Sequence, residues 1–169
     1  FLIKWEDTIK GWYKEMYGFF TAEDLEADDV VASIGYDHHI TNGGLQSNQI
    51  VICSPDKDLR QVPGIHYDFK KEGAQVEIVN ADTAFWNFWL QMLTGDSTDN
   101  VAGVPGLGEV KAKKLLEPLI SEGNQIEAAS TVKAAYIKYF GGHYGPIIYN
   151  ETLMTLRLMT REHPLYSAY

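Results

Sequence analysis

The stretch Leu93–Leu116, LTGDSTDNVAGVPGLGEVKAKKLL, places acidic, glycine-rich and basic sequence one after another within two dozen residues. Asp96 and Asp99 stand at its start, a run of glycine and proline follows, and three lysines lie on a predicted helix at its end. Carboxylate oxygens are ligands of hard metal ions, and glycine turns that begin a helix expose backbone N–H groups suited to phosphate. This order of residues indicates a metal-dependent enzyme acting on the nucleic-acid backbone.

The acidic charge of the chain is concentrated in its first hundred residues. The 169 residues carry a formal net charge of -9, and residues 1–100 hold 7 Lys+Arg against 17 Asp+Glu, whereas residues 101–169 hold 7 against 6. A nucleic-acid-binding surface is usually basic, but divalent ions bound among the acids would make the acidic part attract phosphate. The net charge therefore does not exclude a nucleic-acid partner.

The composition is that of an ordinary soluble globular protein, and it contains no run of about 18 apolar residues or secretion signal. We therefore expect a cytoplasmic protein with no membrane partner. The single cysteine, Cys53, excludes a disulfide within the chain, and its place in the apolar run Ile50–Cys53 predicts a buried, reduced thiol.

The residues before the opening stretch predict a mixture of helices and strands that includes one buried strand of the parallel kind. Its predicted elements are the amphipathic helix Phe1–Tyr17, a helix over Leu25–Ile34, a polar loop over Ile40–Asn48, a buried parallel strand over Gln49–Ser54, the hairpin strands Ile65–Phe69 and Gln75–Val79, and an amphipathic helix capped by Asn80 or Asp82. His38 and His39 are expected on a surface loop.

The residues after the opening stretch predict an all-helical part. The predicted helices are Glu109–Glu117, Gln125–Phe140 and Ile147–Arg161, with a loop over Gly141–Pro146 between the last two. The change in charge and in element type places a soft boundary near residue 90, which gives the expected domains 1–90 and 91–169.

Seven acids occur in three clusters, each where a strand or loop meets the start of a helix: Glu26, Asp28 and Asp29; Asp56 and Asp58; Asp96 and Asp99. A single acid there is explained by the helix dipole, but crowded carboxylates cost energy unless a cation neutralises them. Because histidine and cysteine are scarce nearby, the donors suit Mg2+ or Mn2+ and not zinc. Two such ions about 4 Å apart can activate water and hold a phosphodiester.

The glycine hairpin and the lysines after it form the second candidate site, comprising Gly103, Gly106, Gly108, Lys111, Lys113 and Lys114. Small residues let a phosphate backbone approach the main chain, and lysines add charge without reading bases. A merely solvated lysine face is the open alternative. The spacings do not match a calcium-binding EF-hand, a dinucleotide fingerprint or a P-loop.

Three blocks of this sequence resemble the signature blocks of the 5'-nuclease family: LEADDVV at Leu25–Val31, SPDKDL at Ser54–Leu59, and TGDSTDNVAGVPGLG at Thr94–Gly108. The family includes flap endonucleases, the 5'-nuclease domain of bacterial DNA polymerase I and phage 5'-3' exonucleases. The blocks lie in the family's order, and the resemblance covers residues from about 20 to 120. It implies a PIN-like, Rossmann-like α/β lobe with a mostly parallel sheet, here incomplete, followed by an all-helical helix-three-turn-helix region that binds duplex DNA.

The resemblance also implies roles for the acids and for the hairpin. By motif, Glu26 and Asp28 would help hold the first of two metal ions, Asp28, Asp56, Asp58 and Asp96 would surround the second, and Asp29 and Asp99 would support them. Asp28, Asp56 and Asp96 are the implied catalytic residues. The hairpin Gly103–Gly108 and its lysines would bind the DNA backbone, with a potassium ion on the hairpin carbonyls. Hydroxide attack on phosphorus would leave a 5'-phosphate and a 3'-hydroxyl.

Family members begin with a strand bearing an aspartate and with an arch that orders the 5' end, and neither has a counterpart before Phe1. We therefore expect the C-terminal part of such a nuclease, as a truncated chain, as a split gene product that needs a separate N-terminal fragment, or as a remnant. We expect this chain alone to bind DNA and a divalent ion but to cleave poorly. The alternatives are a non-catalytic duplex-DNA-binding module with vestigial acids and a PIN-like ribonuclease.

Overall fold

The computed structural model describes residues 26–41, 50–119 and 124–160. The elements are helix α1 (Ala27–Thr41), strands β1 (Val51–Cys53), β2 (Gly64–Tyr67) and β3 (Glu77–Val79), helix α2 (Ala81–Thr94), strands β4 (Gly95–Asp96) and β5 (Val101–Ala102), and helices α3 (Glu109–Leu116) and α4 (Gln125–Leu156). Two short 3-10 helices cover Asp58–Gln61 and Glu117–Leu119. The predicted helix Phe1–Tyr17 and most of the predicted loop Ile40–Asn48 lie outside the described residues.

The main sheet has the order β1-β2-β3, with β1 parallel to β2 and β2 antiparallel to β3. The predicted parallel strand and the predicted hairpin are therefore confirmed, although β1 is shorter than Gln49–Ser54. The expected burial of Cys53 is wrong, because this thiol is exposed. β1 lies at the edge of the described sheet, and only Ile52 faces the core, so its neighbours Val51 and Cys53 point to the open face.

Helix α1 begins at Ala27, inside the first acidic cluster, and packs on the sheet. Ala32 joins Ile52, Leu59 and Val62 in a small buried cluster. At Gly35 a Cβ would lie 3.0 Å from Ile52 Cδ1, so the helix runs close to β1. His38 and His39 lie in the last turn of α1 and not on a loop. The helix continues beyond its predicted end, and imidazoles in a last turn suit the negative end of the helix dipole.

Helix α2 is the centre of the larger core. The Asn80 side chain caps it by accepting a hydrogen bond of 2.7 Å from Thr83 N, which confirms one of the two predicted caps. Trp89 and Met92 on α2 are buried against α3 and α4. The Tyr136 hydroxyl on α4 donates a 2.6 Å hydrogen bond to the carbonyl of Met92. This helix thus joins the sheet to the helical region, and it ends directly at the glycine stretch.

Helix α4 is interrupted at one residue, Gly141, whose φ of 82° and ψ of 165° are not helical. The predicted loop Gly141–Pro146 is therefore wrong except at its first residue. Pro146 lies inside the second half, five residues after Gly141, and the helix continues through it although its nitrogen cannot donate to the Gly142 carbonyl. The second half ends at Leu156 and not at Arg161, because Arg157 is extended. No helix in the described part of the chain is long and apolar enough to cross a membrane.

Candidate metal centre and nucleic-acid interface

Three carboxylates from two of the acidic clusters meet at one place. Oxygen atoms of Asp58, Asp96 and Asp99 lie within 4.8 Å of one another. Asp58 begins the 3-10 helix that follows β1, and Asp96 ends β4 just after α2. The site therefore lies beyond the carboxyl end of a parallel strand, where open α/β sheets commonly bind ligands.

Asp96 is the most deeply buried of these acids, with 1% of its surface exposed. Burial opposes ionisation, but three donors outweigh it: Lys57 Nζ at 2.7 Å, Thr98 N at 2.8 Å and Gln91 Nε2 at 2.8 Å. Together they lower the pKa of Asp96 to about 2. Asp96 is thus held as a carboxylate with both oxygens hydrogen-bonded, so its position is fixed.

Asp58 has a different electrostatic environment. Burial raises the pKa of Asp58, and the nearby charges of Asp56 and Asp96 raise it further, against a hydrogen bond of 2.7 Å from Gln91 Nε2. The local turn explains its placement, since Asp58 N donates to Asp56 Oδ1 at 2.9 Å and Asp56 N donates to Ser54 Oγ at 3.1 Å. The SPDKDL block therefore folds back on itself and presents its second acid to Asp96.

The first acidic cluster lies beside the other two. The pKa of Asp28 is raised by burial first, and then by the charges of Asp56, Glu26, Asp29 and Asp99. Carboxylates interact in this way only when they are close in space. All three acidic clusters therefore converge, although Asp28, Glu26, Asp29 and Asp56 are not part of the three-carboxylate group.

Asp29 has a structural partner that its sequence context did not indicate. Its Oδ1 accepts a 2.7 Å hydrogen bond from Met159 N, and the Ser33 hydroxyl on the next turn donates to the Met159 carbonyl at 2.9 Å. Asp29 thus ties α1 to the segment that follows α4, 130 residues away. This bond uses one oxygen of the carboxylate.

The donor set of the three-carboxylate group consists of oxygen atoms alone. Hard ions such as Mg2+ and Mn2+ prefer such donors, whereas zinc sites usually include histidine or cysteine. Asp99 is exposed and Asp96 is buried, so the group has one face toward solvent. The residues present fit a divalent metal ion.

The glycine hairpin divides into a packed part and an open part. A Cβ at Gly103 would lie 2.3 Å from the carbonyl carbon of Thr94, and one at Gly95 would lie 2.2 Å from Gly103 N. These two glycines are needed to close the β4-β5 ribbon. At Gly106, with φ of 80°, and at Gly108, the residue before α3, a Cβ would meet no atom within 4 Å. The main chain at Gly106 and Gly108 is therefore open to an approaching ligand.

The three predicted lysines of α3 differ in their contacts. Lys111 Nζ donates a 2.9 Å hydrogen bond to the Gly106 carbonyl, which holds the open part of the hairpin against the helix. Lys113 forms an exposed ion pair of 2.6 Å with Glu109, one turn earlier. Lys114 is exposed. Sequence reasoning missed Lys138 and Tyr139 of α4, which line a groove of about 700 Å³ together with the hairpin.

Gln91 and Lys57 are the site residues that sequence reasoning missed near the acids. Gln91 is a polar residue in the apolar run Phe88–Leu93, which was a detectable signal. Lys57 lies between two acids of the SPDKDL block, which is also a signal. Each contacts Asp96 directly.

The fold and the site together define an α/β protein with an all-oxygen carboxylate centre and an adjoining helical region. No protein-family model matches the chain. It is 35% identical over 120 residues to the DNA polymerase I of Rhizobium leguminosarum, covering 66% of this chain and 11% of that protein. It is 34% identical over 99 residues to the 5'-3' exonuclease of Mycoplasmopsis pulmonis, covering 54% of this chain and 31% of that protein.

A third relative is the flap endonuclease Xni of Colwellia psychrerythraea, 32% identical over 105 residues, covering 57% of this chain and 34% of that protein. The chain thus spans at most about a third of the length of these relatives. Among solved structures, the T5 D15 protein co-crystallised with metal ions matches with a TM-score of 0.58 and 14% identity, covering 91% of this chain and 68% of that chain.

A mutant of the T5 5'-exonuclease matches with a TM-score of 0.56 and 15% identity, covering 92% of this chain and 74% of that chain. The structural matches establish the expected PIN-like α/β fold with its helical region. Together with the sequence matches, they support the 5'-nuclease family for this chain. The resemblance seen in the three acidic blocks is thereby confirmed.

Proposed function

We propose that this chain carries the metal centre and the duplex-binding region of a structure-specific 5'-3' exonuclease or 5'-flap endonuclease that hydrolyses DNA phosphodiesters. The observation that carries the proposal is the convergence of Asp58, Asp96 and Asp99 within 4.8 Å, beside a hairpin with an open main chain. The relatives named as a 5'-3' exonuclease and a flap endonuclease support the same reaction class.

The acids would form two metal sites. Asp58, Asp96 and Asp99 would hold one Mg2+ or Mn2+, and Asp28 and Asp56, with Glu26 and Asp29 next to them, would complete a second site. When bound, two such ions supply Lewis-acid activation of the phosphodiester and a more acidic water. Asp96, with both oxygens hydrogen-bonded, keeps the centre rigid, and the exposed Asp99 lies on the side from which substrate enters.

The hairpin and α3 would hold the DNA backbone without reading its sequence. Backbone N–H groups at a helix N-terminus attract phosphate, and the open space at Gly106 and Gly108 supports close approach of a strand. Lys111, Lys113 and Lys114 on α3 would add positive charge next to the hairpin. Gly103 contributes by closing the ribbon, and a potassium ion on the hairpin carbonyls belongs to the same proposal.

A separate N-terminal fragment is the proposed protein partner. Within the described strands, β1 lies at the edge of the sheet, and the exposed Val51 and Cys53 border a groove of about 280 Å³ beside α1. A strand supplied by such a fragment would pair along β1 by backbone hydrogen bonds. Asp28 lines the same groove and Asp56 follows Cys53 by three residues, so a fragment bound there would adjoin these acids.

The proposal is tested by cleavage of a 5'-flap DNA substrate and, for comparison, of single-stranded RNA. We expect Mg2+-dependent cutting of the flap, with or without an added N-terminal fragment, to fall at least a hundredfold in Asp96→Asn, because one removed electrostatic contact costs about that much. Asp82→Asn, an exposed acid at the other end of α2, is the matched control.

Two outcomes would contradict the nuclease proposal. Duplex binding with no cleavage under any metal or fragment would favour the non-catalytic DNA-binding module. Preferential cleavage of RNA would favour a PIN-like ribonuclease. Strong cutting by the chain alone would contradict only the expectation that it needs a partner fragment.

A further inference from the structure

Gln91 connects the two carboxylates that come from different parts of the chain. Its Nε2 donates a 2.7 Å hydrogen bond to Asp58 Oδ1 and a 2.8 Å hydrogen bond to Asp96 Oδ2. A primary amide has two N–H donors, and both are used here. One side chain on α2 therefore bridges Asp58 and Asp96 directly.

Gln61 holds the amide of Gln91 in the required orientation. Its Nε2 donates at 3.1 Å to Gln91 Oε1 and at 2.8 Å to the carbonyl of Leu156, the last residue of α4. Gln61 follows Asp58 by three residues on a 3-10 helix, where such side chains are stacked one above the other. Both residues therefore face Gln91 from the same short element.

The reverse orientation of the Gln91 amide would be unfavourable at both ends. Its oxygen would face the two carboxylates, and its NH2 group would face the NH2 group of Gln61. Contacts at both ends thus select one orientation, and the chain of hydrogen bonds runs from the end of α4 to the acids. Such a network is rigid only when every member is satisfied.

We propose that Gln91, oriented by Gln61, is a positioning residue that holds Asp58 and Asp96 at the separation a divalent ion requires. The inference rests on the proposed function, because it concerns the geometry of that metal centre. Partners that orient metal ligands typically change metal affinity by about 10- to 100-fold when they are removed. Gln61 acts through Gln91, so its effect depends on Gln91 being present.

The test measures Mn2+ binding by the whole chain, using calorimetry or the electron paramagnetic resonance of free Mn2+. Gln91→Met keeps the length and volume of the side chain but removes both donors, and we expect it to weaken Mn2+ binding by about tenfold. Gln61→Met should weaken it less. The exposed Gln75→Met is the matched control, and its affinity should equal that of the parent chain.

The double variant separates positioning from a general loss of stability. If Gln61 acts through Gln91, Gln61→Met should cause no further loss of Mn2+ affinity in the Gln91→Met background, whereas independent effects would multiply. The unfolding midpoint in urea with EDTA is measured for each variant, since an ordinary packing loss moves it without this pattern in Mn2+ affinity. Independent effects, or unchanged Mn2+ affinity in Gln91→Met, would overturn the inference.

Failure of the underlying function gives a different result. If Mn2+ binding by the parent chain is absent or is unaffected by Asp96→Asn, the proposed metal centre is wrong, and the positioning role falls with it. If Mn2+ binding requires Asp96 but not Gln91, only the positioning role is wrong.

Discussion

At the scale of single residues, the acidic clusters contain side chains with different tasks. Asp96 is buried and hydrogen-bonded on both oxygens, Asp99 is exposed, and Asp29 accepts a backbone hydrogen bond from a distant segment. The sequence motif alone does not show which acid has which of these roles. The contact to Met159 makes Asp29 the acid whose structural role is easiest to separate from any role in metal binding.

Replacing Asp29 should distinguish those two roles. Asn at this position keeps an oxygen that accepts from Met159 N, so Asp29→Asn should retain the parent's unfolding free energy. Asp29→Ala leaves that N–H without its partner and should cost about 1 to 3 kcal/mol. Urea unfolding in EDTA measures both. Equal losses in the two variants would show that the charge of Asp29, and not its hydrogen bond, stabilises the fold.

At the scale of elements, the short sheet contains a buried titratable group. His66 on β2 is 4% exposed, and its Nε2 is 2.9 Å from the Val62 carbonyl. Burial lowers the pKa of His66, and the hydrogen bond to Val62 opposes that shift only partly. The imidazole is therefore neutral in the folded protein at neutral pH, and acidification must force a charge into the sheet.

The stability of the fold should fall as the pH drops below about 6.5, the ordinary histidine value. Because the folded pKa of His66 is lower than the unfolded value, the unfolded chain binds more protons in this range, and protonation favours unfolding. Urea unfolding at pH 7.5 and 5.5 measures the loss. His66→Gln should reduce the loss, whereas the exposed His143→Gln on α4 should leave it unchanged. An equal pH dependence in all three proteins would contradict the assignment.

Much of the element order could be predicted from local sequence, because caps, turns and periodic apolar residues act over a few positions. The hairpin, the Asn80 cap and the glycine stretch are examples. The contacts between Asp29 and Met159 and between Gln61 and Leu156 could not be predicted, since they join residues about a hundred positions apart. The predicted loop Gly141–Pro146 is wrong because glycine and proline both favour a break in a helix, whereas α4 breaks only at Gly141 and continues through Pro146. The apolar run Ile50–Cys53 predicts a strand buried on both faces, but in the described structure only Ile52 of β1 is buried, so Cys53 is exposed.

At the scale of the whole molecule, the segment after α4 connects the acidic and helical parts. The Arg157 guanidinium lies 4.5 Å from the centre of the Phe88 ring on α2, and Met159 contacts α1 through Ser33 and Asp29. The three acidic clusters and the end of the long helix are thus part of one contact network. The charge asymmetry of the chain follows the same division, with the excess acid on the metal-centre side and a nearly neutral helical region.

That asymmetry predicts that divalent ions and lysines act on DNA binding in separable ways. With EDTA, the net charge of -9 opposes association with DNA, and ions bound at the acids should strengthen duplex binding. Asp96→Asn should remove this metal-dependent gain without changing affinity in EDTA.

Lys114→Ala on α3 should instead weaken binding in both conditions and reduce the slope of log affinity against log salt by about 1, as expected for one lost phosphate contact. Lys70→Ala, an exposed lysine between β2 and β3, is the control. Fluorescence anisotropy of a labelled duplex over a salt series measures the duplex affinity of the parent chain and the three variants. A loss of metal dependence in Lys114→Ala would show that the acidic centre and the α3 lysines do not act separately.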